Sequence, residues 1–392
     1  MIGLVSGAHM ISHFSQLLLA PLFPWLKDDF HASYAELGLL MSIFFVVSCA
    51  VQMASGFVVD KFGPRPILFA GLALLGLAAF GFSISTSYAM LAAFSVLAGM
   101  GNGVFHPVDY TLLNRKISAL RLGHAYSVHG ITGSLGWALA PAMLVPLTLA
   151  FGWRTALASA GTLAFAVLAM LWIFRDRLAL PILPADKPGA PTMEGGSMGF
   201  LRIPAVWMCF GFFFFYAMAL SVVQAFAPEA ARQLHNVPLD LVALCLTVYM
   251  LCSAGGMVLG GFLAVDPTRC ERVIGVGFGV AAGVALVLGF TAAPAWSVPV
   301  LFGLMGFASG TGGPSRDLIV KRAAPANATG RVYGVVYSGL DIGQAISPLL
   351  FGMLMDHQQF AGVFIGLAVV QGVLIASAFN VRKVRRTVLA TA

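Results

Sequence analysis

Runs of about twenty apolar residues, repeated along the whole chain, constrain this sequence more than any other feature. A helix rises 1.5 Å per residue, so about 20 apolar residues cross a hydrocarbon core of about 30 Å. Such runs are read at 2–26, 34–59, 66–84, 88–113, 121–147, 153–174, 204–228, 240–265, 272–292, 296–320, 330–354 and 360–380. Only 9% of the 392 residues are charged, and the mean hydropathy is +0.91. A water-soluble domain carries about 25% charged residues, so that class is excluded. Lipid leaves no partner for an open backbone, which makes the runs helices. The expected fold is an all-α polytopic membrane protein with twelve transmembrane helices. The first run is long enough to span and lacks a charged leader before it, so it is expected to stay as a helix.

Charge placement gives the topology. Of the 22 lysines and arginines, all but Lys27, Arg154 and Arg232 fall on one side of the expected spans. The positive-inside rule makes the crowded side cytoplasmic, with both termini there. The net charge of +7 is thereby a topology signal and calls for no nucleic-acid partner. The five cysteines (Cys49, Cys209, Cys245, Cys252, Cys270) follow no paired spacing and read as small core residues.

The longest polar interruption, rich in Pro, Gly and Asp, divides the chain. It gives an N-terminal six-helix bundle (1–176), a cytoplasmic linker (177–200) and a C-terminal six-helix bundle (201–392). A shift of the sequence by 207 residues then superposes Gly99 on Gly306, Gly103 on Gly310, Pro107 on Pro314 and Arg115 on Arg322. Further on it superposes Gly123 on Gly330, Tyr126 on Tyr333, Gly136 on Gly343 and Pro141 on Pro348. Two related halves with a solute site between them is an arrangement used by transporters.

Between the second and third runs stands Gly56-Phe-Val-Val-Asp60-Lys61-Phe-Gly63-Pro64-Arg65. This resembles the Gly-x-x-x-Asp-[Arg/Lys]-x-Gly-x-[Arg/Lys] loop of the major facilitator superfamily. A degenerate copy, Gly261 to Asp266 and Arg269, lies between the eighth and ninth runs. The resemblance implies two pseudo-symmetric six-helix bundles. It also implies a gating latch in which Asp60 meets Arg115 and the helix end near Gly330, with Asp266 and Arg322 as its counterpart. Gly101-Asn102-Gly103-Val104-Phe105-His106-Pro107 and His13-Phe14 resemble fosmidomycin-resistance-type members. Ser15, Gln16 and Leu17 stand where an acid would follow the first-span histidine of that type.

Polar groups inside a bilayer are costly and mark pathways or partners. The candidates for proton coupling are Asp341, His13, His106 and His129. Candidate solute contacts are His9, His13, Gln16, Asn102, His106, Tyr216, Gln224, Arg316, Tyr337, Asp341 and Gln344. Asp109 and Arg316 are equivalent under the repeat and are expected to form an inner-gate ion pair that breaks when the protein opens inward. The gating set is completed by Gly56, Gly63 and Arg65. His9 and His13 are four residues apart, as two metal ligands would be, yet no third ligand is evident nearby, so no metal and no cofactor is expected. No Gly-x-x-x-x-Gly-Lys-[Ser/Thr] loop occurs, which disfavours ATP-driven transport.

The reading is a proton-coupled secondary transporter of a small organic solute, favoured to be an anion, working by alternating access. It is expected to act as a monomer in a bacterial inner membrane, with lipid around it and no enzymatic activity. Drug efflux by proton antiport and a non-transporting receptor or scaffold are the alternatives.

Overall fold

The computed structural model describes residues 1–180, 204–264, 269–316 and 329–391. The first half contains α1 (Ile2–Gln16), α2 (Phe23–Phe30), α3 (Tyr34–Phe62), α4 (Pro64–Ser83) and α5 (Tyr88–Asn102). It continues with α6 (Phe105–Lys116), α7 (Ala119–Phe151) and α8 (Trp153–Ile173). The second half contains α9 (Pro204–Ala225), α10 (Ala227–His235), α11 (Leu239–Leu263) and α12 (Cys270–Phe290). It ends with α13 (Val298–Thr311), α14 (Thr329–Asp356) and α15 (Phe360–Thr391). Among the described residues, ten helical stretches are long and apolar enough to cross a membrane. The tenth and eleventh expected spans correspond to α13, with the turn that follows it, and to α14.

Four expected spans are not continuous. The first breaks after Gln16 and resumes as α2 beyond Pro21. The fourth breaks at Gly103, between α5 and α6. The seventh breaks at Phe226, ahead of Pro228. The tenth breaks at Gly312, with Pro314 in the next turn. Proline cannot donate to the ladder, and a hydropathy window does not register that loss. Freed backbone groups must be satisfied away from lipid, so each break belongs inside the protein.

Tight crossings hold each half together. A Cβ on Gly103 would lie 2.5 Å from the Ser48 carbonyl oxygen, and one on its repeat partner Gly310 would lie 2.1 Å from that of Ser253. Gly136 and Gly343 stand in the same relation to Met10 and Phe214. The repeat is therefore a repeat of helix crossings that a side chain would block. Gly63, at φ +80, makes the one-residue turn from α3 into Pro64, the first residue of α4.

The halves meet chiefly through α3 with α14 and α7 with α11. At the end bearing Lys27, Arg154 and Arg232 this contact is closed. The Asp356 carboxylate of α14 accepts from the Tyr34 and Ala35 amides (2.7 and 2.9 Å), the first residues of α3. Ser33 and Glu36 form a capping box on the same turn. All four unpaired amides of this helix start are thus satisfied, two of them from the other half. Tyr34 also donates from its hydroxyl to Glu229 (3.2 Å), which is clamped by Arg232 (2.7 Å). Ser42 donates to the Ala345 carbonyl, and Phe23 packs on Phe226.

Of the gating residues, Gly56 and Gly63 lie in and at the end of α3, Arg65 lies on α4, and Arg115 is exposed at the end of α6. The Asp60 side chain, Asp266 and Arg322 lie outside the described residues.

The Asp356 cap carries an expected outcome. Asp356→Ala should lower stability by about 1–2 kcal/mol. It should also lengthen the distance distribution between spin labels at the exposed positions His31 and His357, read by pulsed electron resonance. An unchanged distribution would mean that the cap does not hold this end closed.

Candidate functional site

The polar side chains of the first half converge on the space between α1, α3, α6 and α7. Residues 9, 13 and 16 recur at helical spacing on one face of α1. Residues 129, 133 and 137 do the same on α7. The break at Gly103 turns the start of α6 so that His106 and Asp109 reach the same region.

Asp109 is fully buried. Its carboxylate accepts from His9 Nδ1 (3.0 Å), and His129 Nε2 lies 3.8 Å from the same oxygen. The rings crowd together: His9 stacks on His129 at 3.6 Å between centroids and makes tilted contacts with His13 at 4.3 Å and His106 at 5.6 Å. Both ring nitrogens of His13 and of His129 are buried without a hydrogen-bond partner. Gly133 makes room for these rings, since a Cβ there would lie 2.9 Å from His13 Nδ1 and 3.1 Å from His9 Nε2.

Next to the histidines runs a neutral ladder. Trp137 Nε1 donates to Gln16 Oε1 (2.9 Å), and Gln16 Nε2 donates to Asn102 Oδ1 (3.3 Å). Ser12 donates to the same oxygen (2.7 Å), while Asn102 Nδ2 donates to Ser48 (2.8 Å). Asn102 is the last residue of α5, so its amide ties α1 and α3 together beside the break.

The link to the second half is Gln52. Its Oε1 accepts from His106 Nδ1 (2.9 Å), and its Nε2 donates to Asp341 Oδ2 (3.0 Å). One amide thus joins α6 of one half to α14 of the other. Both ends of the amide are used, which fixes its orientation.

In the second half the Arg316 guanidinium lies over the rings of Tyr216 (4.5 Å) and Phe213 (5.1 Å). Tyr337 packs against Phe213 (5.1 Å). A cation held over aromatic faces is attracted by their quadrupoles. Gln344 donates to Gln224 (3.3 Å), tying α14 to α9.

One expectation is corrected, and another is not met in this conformation. The Asp109–Arg316 pair is not made here, because Asp109 faces α1 and α7, where His9 and His129 take its carboxylate, and Arg316 sits against α9. The absence of a third metal ligand near His9 and His13 also fails. The break before α6 brings a nitrogen of His106 within 4.8 Å of nitrogens of both. His9, His13, His106, His129, Gln16, Asn102 and Asp341 come together, whereas Tyr216, Arg316 and Tyr337 form a second group and Gln224 and Gln344 a third. Sequence reasoning missed Gln52, Ser12, Ser48 and Trp137. Gln52 had a signal, as the one carboxamide in the run 34–59.

Comparison with known proteins agrees with this architecture. The profile described as Major Facilitator Superfamily matches residues 5–304 and 209–390. The probable sulfoacetate transporter SauU of Cupriavidus necator is 22% identical over 382 residues, 91% of this chain and 87% of the relative. The fosmidomycin resistance protein of Escherichia coli K12 is 24% identical over 391 residues, 93% of this chain and 88% of the relative. A bacterial homolog of the human lysosomal transporter Spinster, crystallised in an inward-facing and occupied conformation, superposes with a TM-score of 0.80. That likeness is 14% identical in sequence and covers 98% of this chain and 96% of the other, and it shows the fold. SauU is named as a transporter and the solved structure as a homolog of one, and neither as an enzyme. The chain belongs to the major facilitator superfamily.

Proposed function

We propose that the chain is a proton-coupled secondary transporter of a small organic anion, working by alternating access as a monomer. Its setting on this reading is a bacterial inner membrane, with both termini cytoplasmic. The observation that carries the reading is the Gln52 bridge between His106 and Asp341.

Asp341 lies 12 residues into a 28-residue helix, about 18 Å along it at 1.5 Å per residue. As a carboxylate it accepts the Gln52 N–H. Protonation removes the charge that strengthens the bond from Gln52 and adds an O–H donor that the carboxylate lacks. It thereby changes the strength of the bonds that join α3, α6 and α14, the helices of both halves. A ligand shifts a two-state equilibrium only through contacts that differ between the states, and this is such a contact.

Arg316, held over two aromatic rings, is the cationic contact for the anion. The relative named as a sulfoacetate transporter supports an organic acid as solute. The fosmidomycin resistance relative, with Phe105-His106-Pro107 in this chain, supports drug efflux by proton antiport as the second reading.

Proteoliposome flux tests the coupling. Uptake of a small sulfonate or carboxylate should rise with an imposed pH gradient in the native protein. In Asp341→Asn it should lose that response while counterflow exchange persists. Native flux that ignores the gradient would sink the coupling, and no flux of organic acid or drug in either protein would favour a receptor.

Arg316→Gln should weaken anion binding by about 10–100-fold, the worth of a hydrogen bond to a charged group. Calorimetry on the purified protein measures it, and unchanged affinity would remove Arg316 from the site.

A further inference from the structure

The histidine cluster holds more nitrogen donors than the bridge to Asp341 uses. We propose that His9, His13 and His106 form a binding site for a divalent transition-metal cation of the zinc class.

Three observations support the assignment. Nitrogens of these three rings all lie within 4.8 Å of one another. Two rings are already oriented by outer partners. His9 donates Nδ1–H to Asp109, and His106 donates Nδ1–H to Gln52, which leaves the Nε2 lone pair of each available to a ligand. Metal-binding histidines are commonly oriented this way, with the far N–H on a carboxylate or carbonyl oxygen. The third ring, His13, is 9% exposed and has no hydrogen bond at either nitrogen. Turning it toward a metal gives up ring contacts with His9 and Trp137 but no side-chain hydrogen bond.

The size fits after a modest contraction. A zinc–nitrogen distance of about 2.0–2.1 Å in tetrahedral geometry puts ligand nitrogens about 3.3 Å apart. Gly133 borders the rings without a side chain and gives them room to close. Three neutral imidazoles favour zinc, nickel or copper over magnesium or calcium, which take oxygen ligands. Three protein ligands also leave a fourth position open.

A second trio, His9, Asp109 and His129, meets the same distance limit. Using it would turn Asp109, which orients His9 through a 3.0 Å bond, into a ligand itself, whereas the first trio leaves it as the outer partner. All three proposed ligands sit on α1 and α6 of one half. The metal consequently does not bridge the halves, and the site stands whether or not the transport reading does.

The test uses purified full-length protein with its affinity tag removed and residual metal chelated. Zinc chloride titrated by calorimetry should bind at one site per chain, and cobalt chloride should give the intense visible bands of tetrahedral nitrogen ligation. Outer partners alone are worth about 10–100-fold in affinity, so losing a ligand should weaken binding by about a hundredfold or more. That loss is expected in His13→Gln and, separately, in His106→Gln, whereas His129→Gln should bind nearly as the native protein does. The melting temperature of His13→Gln should be close to native, which separates loss of the site from loss of the fold. Zinc binding that survives both ligand substitutions, or that disappears with His129→Gln, would overturn the assignment. So would the absence of saturable binding or a weak octahedral cobalt spectrum.

Discussion

Lipid offers no partner to a backbone N–H or C=O, and the arrangement of this protein follows from that constraint. A chain built mostly of apolar runs must be helical where it meets lipid. It can interrupt a helix only where the protein supplies other partners. The interruptions at Leu17, Gly103, Phe226 and Gly312 come from the first, fourth, seventh and tenth expected spans, one for each three-span unit. The break at Gly103 is the one that builds a site, because it turns His106 and Asp109 toward α1 and leaves the Asn102 amide to join α1 to α3.

Much of this architecture was legible in the sequence. Span positions and the 207-residue register depend on properties that local sequence records, namely hydropathy and the absence of a side chain at a crossing. Gly103 and Gly310 matched in sequence because both must let a helix approach within contact of a carbonyl oxygen. The breaks were not legible, since a window average does not register one missing N–H at Pro21 or Pro228. Nor was the partner of Asp109. The repeat placed it opposite Arg316, but a side chain's direction depends on how far α6 turns after Gly103, and that turn aims it at His9.

The bond between Gln52 and Asp341 was hidden for a different reason. A carboxamide inside an apolar run is visible in sequence, but its partner lies 289 residues away in the chain. Asp356 likewise reads as an acid at the end of a span. Only the fold reveals that it caps the start of α3 across the two halves. Both contacts join α3 to α14. One lies at the closed end and the other beside the histidines, so on our reading movement between the halves must rearrange this pair of helices.

Water access at Gln52, His106 and Asp341 tests the account most directly, because the transport reading requires that these groups line a wet path. Single cysteines would be placed at the three positions, and at the outward-facing, exposed Val280 of α12, in a protein whose five native cysteines have been removed. A membrane-impermeant charged thiol reagent is expected to label the three and not position 280, with solute slowing the labelling. Labelling of the three only by a lipid-soluble reagent would show that they sit in dry helix contacts, and the proposed pathway would be wrong.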